Sequence, residues 1–269
     1  APGDMVYQWA DTETLLACYE PTWGRHRAHT LAVPGNHDYV KGSARDFRRY
    51  FGLDDVSVSE EFVAYARWLS DEWLLIALDS NVSGEAMQRQ VEWLERTLET
   101  ERGTVPRGTE ASVPPVAATP AADAAATSAP SGATSSQRCL VVMWHTPVYS
   151  SGLHRGSGDH MQSLWRLIDA HDADLLLSGH EHFYEAFDTI DGEGRKRLED
   201  GDGVRQFTVG TGGARLYGFW RPPYESRSRV LQFGVLELTL APGRYGWRFL
   251  DIDGRVRDAG NATCRRGSS

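Results

Sequence analysis

Long apolar runs are missing from this 269-residue chain. No stretch approaches the roughly 18 apolar residues that read as a membrane span, and no secretory signal precedes the first motif. Basic runs are missing as well: 28 Lys and Arg stand against 37 Asp and Glu, for a net charge of −9. That balance excludes an extended nucleic-acid face and leaves any anionic substrate in need of local positive charge. Cysteine is scarce. Cys18, Cys139 and Cys264 make an odd count without Cys-x-x-Cys spacing, which argues against a thiolate metal cluster. No Ser/His/Asp or Cys/His arrangement stands out as a covalent nucleophile. What is present is 41% hydrophobic residues, enough for a sizeable core, over a length that fits one or two domains.

Four short motifs carry the chemistry. In chain order they are Gly3-Asp4-Met5-Val6-Tyr7, Gly35-Asn36-His37-Asp38, Val142-Met143-Trp144-His145 and Gly179-His180-Glu181-His182. The last three each follow an apolar, strand-like run: Thr30–Val33, Cys139–Val142 and Ala173–Ser178. In open α/β sheets ligands sit at the carboxyl ends of strands, so loops far apart in sequence converge there. Asp, Asn and Tyr oxygens mixed with imidazole nitrogens suit Fe, Mn or Zn. Two imidazoles one residue apart, His180 and His182, can hold two ions side by side. Four of the nine histidines fall inside these motifs.

This ordered set resembles the calcineurin-like metallophosphoesterases, and within them the purple acid phosphatase-like branch. The segments Tyr19–Gly24 and Val209–Gly213 are also similar to those of small secreted bacterial members. The resemblance implies a four-layer α/β/β/α sandwich of two mixed sheets flanked by helices. It implies hydrolysis of phosphate monoesters by a metal-bound hydroxide at a dinuclear centre, in a protein acting outside the cytoplasm. Phosphodiester or nucleotide hydrolysis at the same centre is the alternative within the class; a non-catalytic member binding phosphate or a partner is the alternative outside it. Asp4 would bridge two ions, iron paired with iron, zinc or manganese. Tyr7 and His182 would hold the first ion, and Asn36, His145 and His180 the second. His37 would contact phosphate with Asp38 orienting its ring, and His154 would protonate the leaving group.

These residue types answer a physical problem. Phosphate esters are anions that repel hydroxide, so charge must be neutralised while a nucleophile is generated. Two ions roughly 3.5–4 Å apart do both. A bridging carboxylate fixes their separation, and neutral Asn36 donates oxygen without adding charge that would repel substrate.

One family feature has no counterpart here. The upstream aspartate that ligates the first ion, and the strand leading into it, have no residues to carry them, so the sandwich is expected to lack its first βα unit. For the cysteines two readings stay open: three isolated small hydrophobes, or Cys264 paired with a cysteine of that upstream segment. Asn81-Val82-Ser83 and Asn261-Ala262-Thr263 match the glycosylation pattern.

A single domain over 1–269 is expected, interrupted at 103–137 by an Ala, Ser, Thr and Pro-rich insertion without an aromatic residue. Such a composition cannot offset ordering entropy and reads as disordered. Before it, Met87, Val91, Leu94 and Leu98 mark a helix from Gly84 to about Thr100; after it, Arg138–Trp144 reads as a strand. Trp73–Leu78 reads as another buried strand. Met161, Leu164, Trp165 and Ile168 mark a second helix. Beyond Glu185 the pattern turns to β, over Gln206–Val209, Val230–Leu240 and Tyr245–Ile252. Gly210-Thr211-Gly212-Gly213 reads as a tight turn rather than a phosphate cradle. Arg215, Tyr217, Phe219 and Trp220 are candidates for the substrate mouth, and Asp79-Ser80-Asn81 for the crevice wall. His26, His29, His160 and His171 fall outside the motifs.

Overall fold

A computed structural model describes residues 1–40, 42–103, 138–154, 161–196, 202–220 and 226–265. The insertion expected at 103–137 lies outside them except for residue 103, and so does His160. Among the described residues the strands are β1 (Tyr65–Trp68), β2 (Trp73–Ala77), β3 (Cys139–Met143), β4 (Leu175–Ser178), β5 (Tyr184–Ile190), β6 (Val204–Val209), β7 (Ser226–Val230), β8 (Gly234–Ala241), β9 (Arg244–Asp251) and β10 (Val256–Thr263). The helices are α1 (Thr12–Thr14), α2 (Arg45–Phe51), α3 (Gly84–Gly103) and α4 (Gln162–Ala170).

Seven strands form one sheet in the order β1-β2-β3-β4-β6-β5-β7, and three form a second in the order β10-β9-β8. The pairs β2–β3, β3–β4 and β4–β6 are parallel, while β1, β5 and β7 pair antiparallel, so the large sheet is mixed. The small sheet pairs antiparallel throughout.

Side-chain alternation decides the layers. Strands β2 and β3 are buried on both faces and read as unbroken apolar runs, as parallel central strands do. Trp73, Leu75, Ala77, Cys139, Val141, Met143 and Leu175 share one core with Tyr245, Trp247 and Phe249 of the small sheet and Phe47 of α2. Their neighbours one residue on, Leu74, Ile76, Leu140, Val142 and Leu176, share another with Met87, Leu94 and Leu98 of α3 and Leu164, Trp165 and Ile168 of α4. The helices α3 and α4 thus cover one face of the large sheet, and the small sheet covers the other. This is an α/β sandwich.

Two expectations change. Thr30–Val33 is not in a strand; among the described residues its backbone pairing across segments is with Ala1. The Ala1 ammonium donates to the Leu31 carbonyl at 2.6 Å, and the Val33 N–H donates to the Ala1 carbonyl at 3.2 Å. One residue of pairing makes no ladder, yet Ala32 and Val33 are fully buried between the sheets. The cysteines change too: Cys139 at the start of β3 is disulfide-bonded to Cys264 just past β10, and Cys18 is free and exposed. Neither earlier reading holds for that pair. Asp174 doubles the join, its two oxygens accepting the N–H of Leu140 at 2.7 Å and of Arg265 at 2.6 Å, the residues that follow each cysteine.

Candidate metal centre

The parallel strands β2, β3, β4 and β6 point their carboxyl ends to one edge, and the motif residues gather there. His145 lies two residues beyond β3, and His180 and His182 follow β4. Gly35-Asn36-His37-Asp38 arrives as a single 3₁₀ turn at Asn36–Asp38. Gly3 and Gly35 lie back to back: a Cβ on Gly3 would collide with the Gly35 backbone and the His145 ring, and one on Gly35 with the Asp4 carboxylate. That close approach is why both motifs open on glycine. Asp4 and His180 hold left-handed backbones, with φ of 56° and 66°. Such conformations cost on the order of 1–3 kcal/mol and cluster at functional sites.

The donor atoms converge. Asn36 Oδ1 is 3.2 Å from His145 Nε2 and 3.0 Å from His180 Nδ1, and those two nitrogens are 3.2 Å apart. Asp4 Oδ2 lies 3.3 Å from His145 Nε2. The His145 ring hands its other nitrogen, Nδ1, to the Pro2 carbonyl at 2.6 Å, the outer hydrogen bond that metal-ligating imidazoles make. A proton on His145 Nε2 satisfies one of the acceptors around it. A metal ion satisfies them all, and donors about 2.1 Å from an ion stand roughly 3.0–3.4 Å from one another. At the other end Tyr7 Oη donates to the same Asp4 Oδ2 at 2.9 Å and meets His182 Nε2 at 2.8 Å. His182 Nδ1 is tied to the Arg215 carbonyl at 2.8 Å. Asp4 thus links a three-donor cluster to a two-donor one, and all six expected ligands are brought together. The donor set fits an ion at each end, with fewer donors at the Tyr7 end.

Electrostatics agree with this arrangement. Burial alone would raise the Asp4 carboxyl; the His145 hydrogen bond and charge, then the His37 N–H and Tyr7 hydroxyl, hold it well below the usual carboxylate range. Burial, followed by the charges of His145 and His154, lowers His180 to about 3, so its ring is neutral and can ligate. Burial and then the Asp4 charge push the Tyr7 hydroxyl far up. A phenolate at Tyr7 therefore needs a cation beside it.

His37 and His154 flank the cluster. The His37 ring is 4.4 Å from that of Tyr7 and the His154 ring 4.8 Å from that of His180. Asp38 does not orient His37. Its carboxylate accepts the N–H groups of Asp4 at 2.7 Å, Gly35 at 2.8 Å and Met5 at 3.3 Å, clamping the first motif onto the second. Backbone donors lie nearer to it than the imidazole, and the ring is held instead by the Gln8 carbonyl at 2.7 Å from Nδ1. Nothing in the sequence marked Gln8 for this.

The remaining candidates sort by contact. Tyr217 bridges His154 Nδ1 at 3.0 Å and the His180 carbonyl at 3.1 Å. Phe219 turns inward onto Phe183 at 4.5 Å, and Trp220 is exposed. Gly210–Gly213 is a connector: the Gly210 N–H donates to Phe183 and the Thr211 hydroxyl to Gly234. Fully buried Asp79, at the end of β2, accepts from Tyr39 Oη at 2.6 Å and from the Asn81 N–H at 2.9 Å. Asn81 Nδ2 in turn donates to the Pro34 carbonyl at 2.9 Å, pinning the chain that enters the Asn36 turn. Ser80 Oγ accepts the Thr146 N–H at 3.0 Å and steadies the His145 loop.

The family profile described as calcineurin-like phosphoesterase matches residues 1–184. The chain belongs to that family. Among solved structures, this chain is similar to the purple acid phosphatase PPD1 from yellow lupin (Lupinus luteus) seeds, with a TM-score of 0.63 and 17% identity. That match covers 87% of this chain and 40% of the lupin chain, so this chain spans less than half of that relative's length. It is also similar to GAP50, the anchor in the inner membrane complex of Plasmodium, with a TM-score of 0.62 and 14% identity over 98% of this chain and 77% of that one. At these identities the likeness establishes the fold alone. No curated protein sequence matches. No helix among the described residues is long and apolar enough to cross a membrane.

Proposed function

We propose that this phosphoesterase hydrolyses phosphate monoesters at a dinuclear centre of purple acid phosphatase type, in a single domain over 1–269 that carries the 103–137 insertion. The observation that carries the reading is the convergence of Asn36 Oδ1, His145 Nε2 and His180 Nδ1 within 3.0–3.2 Å, joined through Asp4 to Tyr7 and His182. Asn36, His145, His180 and Asp4 hold one ion; Tyr7, His182 and Asp4 hold the other, iron paired with iron, zinc or manganese. When bound, the ions neutralise the phosphoryl charge and activate water for attack.

The chain's own residues do the rest. His37, its Nδ1 tied to Gln8, offers Nε2 to a phosphate oxygen. His154, its Nδ1 tied to Tyr217, offers Nε2 to the departing ester oxygen. General acid help of this kind is worth about 100- to 10,000-fold. The buried disulfide supports an extracytoplasmic setting, since such bonds persist in oxidising compartments.

The test is turnover of a chromogenic phosphate monoester by folded chain loaded with Mn, Zn or Fe. A visible absorption band lost in Tyr7→Phe identifies iron at the Tyr7 end. The smaller donor set there favours a second reading, a non-catalytic phosphate- or partner-binding member. Absence of hydrolysis in metal-loaded, folded protein selects it. A further expected outcome concerns loop placement. Asp79→Ala releases Tyr39 and Asn81 and lowers kcat about 10- to 100-fold, since displacements near 1 Å have such effects. Metal analysis and kinetics on the same sample check this, and unchanged kcat means the Asn36 turn is held by other contacts.

A further inference from the structure

We propose that Trp9 selects the organic part of the substrate, and that the site favours phosphate esters whose organic group is aromatic. This rests on the phosphoesterase reading and names the substrate class of that same site. The segment from Val6 to Ala10 is fastened around one imidazole. The Tyr7 ring stands 4.4 Å from that of His37, the Gln8 carbonyl meets His37 Nδ1 at 2.7 Å, and the Ala10 N–H donates to the His37 carbonyl at 3.0 Å. Val6 and Ala10 are buried in a small core of their own with Leu15 and Tyr19. Between them Trp9 is turned out, 55% exposed, with its ring centroid 5.8 Å from that of His37.

A large apolar plate therefore stands one ring's width from the imidazole that meets phosphate, on a backbone fixed at several points. Leu153, beside His154, is 50% exposed, and Trp220, whose N–H donates to the Ser151 carbonyl at 3.0 Å, is 68% exposed. Glu181, between His180 and His182, is fully buried, with its Oε2 3.4 Å from His154 Nδ1. An ester whose phosphoryl oxygens reach His37 lays its substituent against Trp9 on that side. An aromatic substituent stacks there at ring separations of about 4.5–7 Å; a glyceryl or methyl group has no face to offer.

The test measures two substrates and two ligands that are not hydrolysed, on the full metal-loaded chain. The substrates are phenyl phosphate and glycerol phosphate; the ligands, read by calorimetry, are phenylphosphonate and methylphosphonate. Trp9→Ala raises KM for phenyl phosphate and Kd for phenylphosphonate about 3- to 10-fold, the range one aromatic contact supplies. It leaves kcat, and both constants for the aliphatic pair, within about twofold. Trp9→Phe keeps most of the wild-type preference. Equal weakening of both pairs, no change in either, or no binding of either phosphonate overturns the proposal. The two readings fail separately. A chain that binds phenylphosphonate through Trp9 yet hydrolyses nothing refutes the phosphoesterase reading alone. A hydrolase indifferent to Trp9→Ala refutes only this one.

Discussion

His180→Ala lowers turnover by about 1000-fold and removes one metal ion per chain. His180 Nδ1 is the donor nearest Asn36 Oδ1 and also faces His145 Nε2, so its loss opens one side of that cluster. The three that remain are Asn36, His145 and Asp4. Asp4 is shared with the Tyr7 end, and His145 Nε2 keeps Asn36 Oδ1 at 3.2 Å and Asp4 Oδ2 at 3.3 Å as partners that need no metal. An ion acting as Lewis acid supplies several kcal/mol of charge stabilisation, and about 4 kcal/mol corresponds to three decades in rate. His37→Ala provides the contrast. It lowers turnover within the 100- to 10,000-fold range while metal content stays near that of the wild type, because His37 touches Tyr7 by ring contact alone. Elemental analysis of dialysed protein checks both variants. Equal metal loss in the two would mean that the assignment of His37 is wrong.

Replacing Cys139 and Cys264 together by serine destabilises the fold by about 3–5 kcal/mol. The disulfide closes a loop of sequence separation 125, and closing a loop of that order removes close to 4.7 kcal/mol of unfolded-state freedom in the chain-entropy account. Both sulfurs lie in the core between the two sheets, so the serine hydroxyls also lose hydration without an assured partner. Asp174 still joins Leu140 to Arg265 in the variant, which keeps the effect from being larger. For a chain of this size each kcal/mol moves Tm by about 2–4 °C, so thermal unfolding should fall by roughly 10 °C. A shift below about 2 °C would mean that the loop is already closed by the Asp174 contacts.

The central strands and the meeting of the motif residues at one edge were legible in the sequence for one reason: both follow from local apolar runs. Trp73–Ala77, Cys139–Met143 and Leu175–Ser178 are buried on both faces, so they read as apolar runs. Met87, Leu94 and Leu98 face the core from α3 at helical spacing. His145, His180 and His182 sit just past such runs, where parallel strands deliver their loops. What was missed depends on pairing across distance. The edge strand β1 is four residues long, and β10 is mostly exposed, so neither shows a core-facing pattern. Thr30–Val33 has the composition of a strand, but a ladder is made by neighbours, and among the described residues its pairing is with Ala1. The disulfide joins positions that spacing rules do not connect. From sequence Asp38 pairs with the His37 ring; its carboxylate instead accepts backbone N–H groups from Asp4, Met5 and Gly35, which leave no trace in side-chain identity.

The direction of β3 has an evolutionary and practical consequence. The residues between α3 and β3 join the strand at Cys139, while His145 leaves from its far end, and five residues of strand span roughly 16 Å. Length and composition can drift at the entry end without altering the spacing of ligands at the exit. The same separation makes that junction a natural point for grafting a tag or an affinity handle, with the reacting edge of the sheet left untouched.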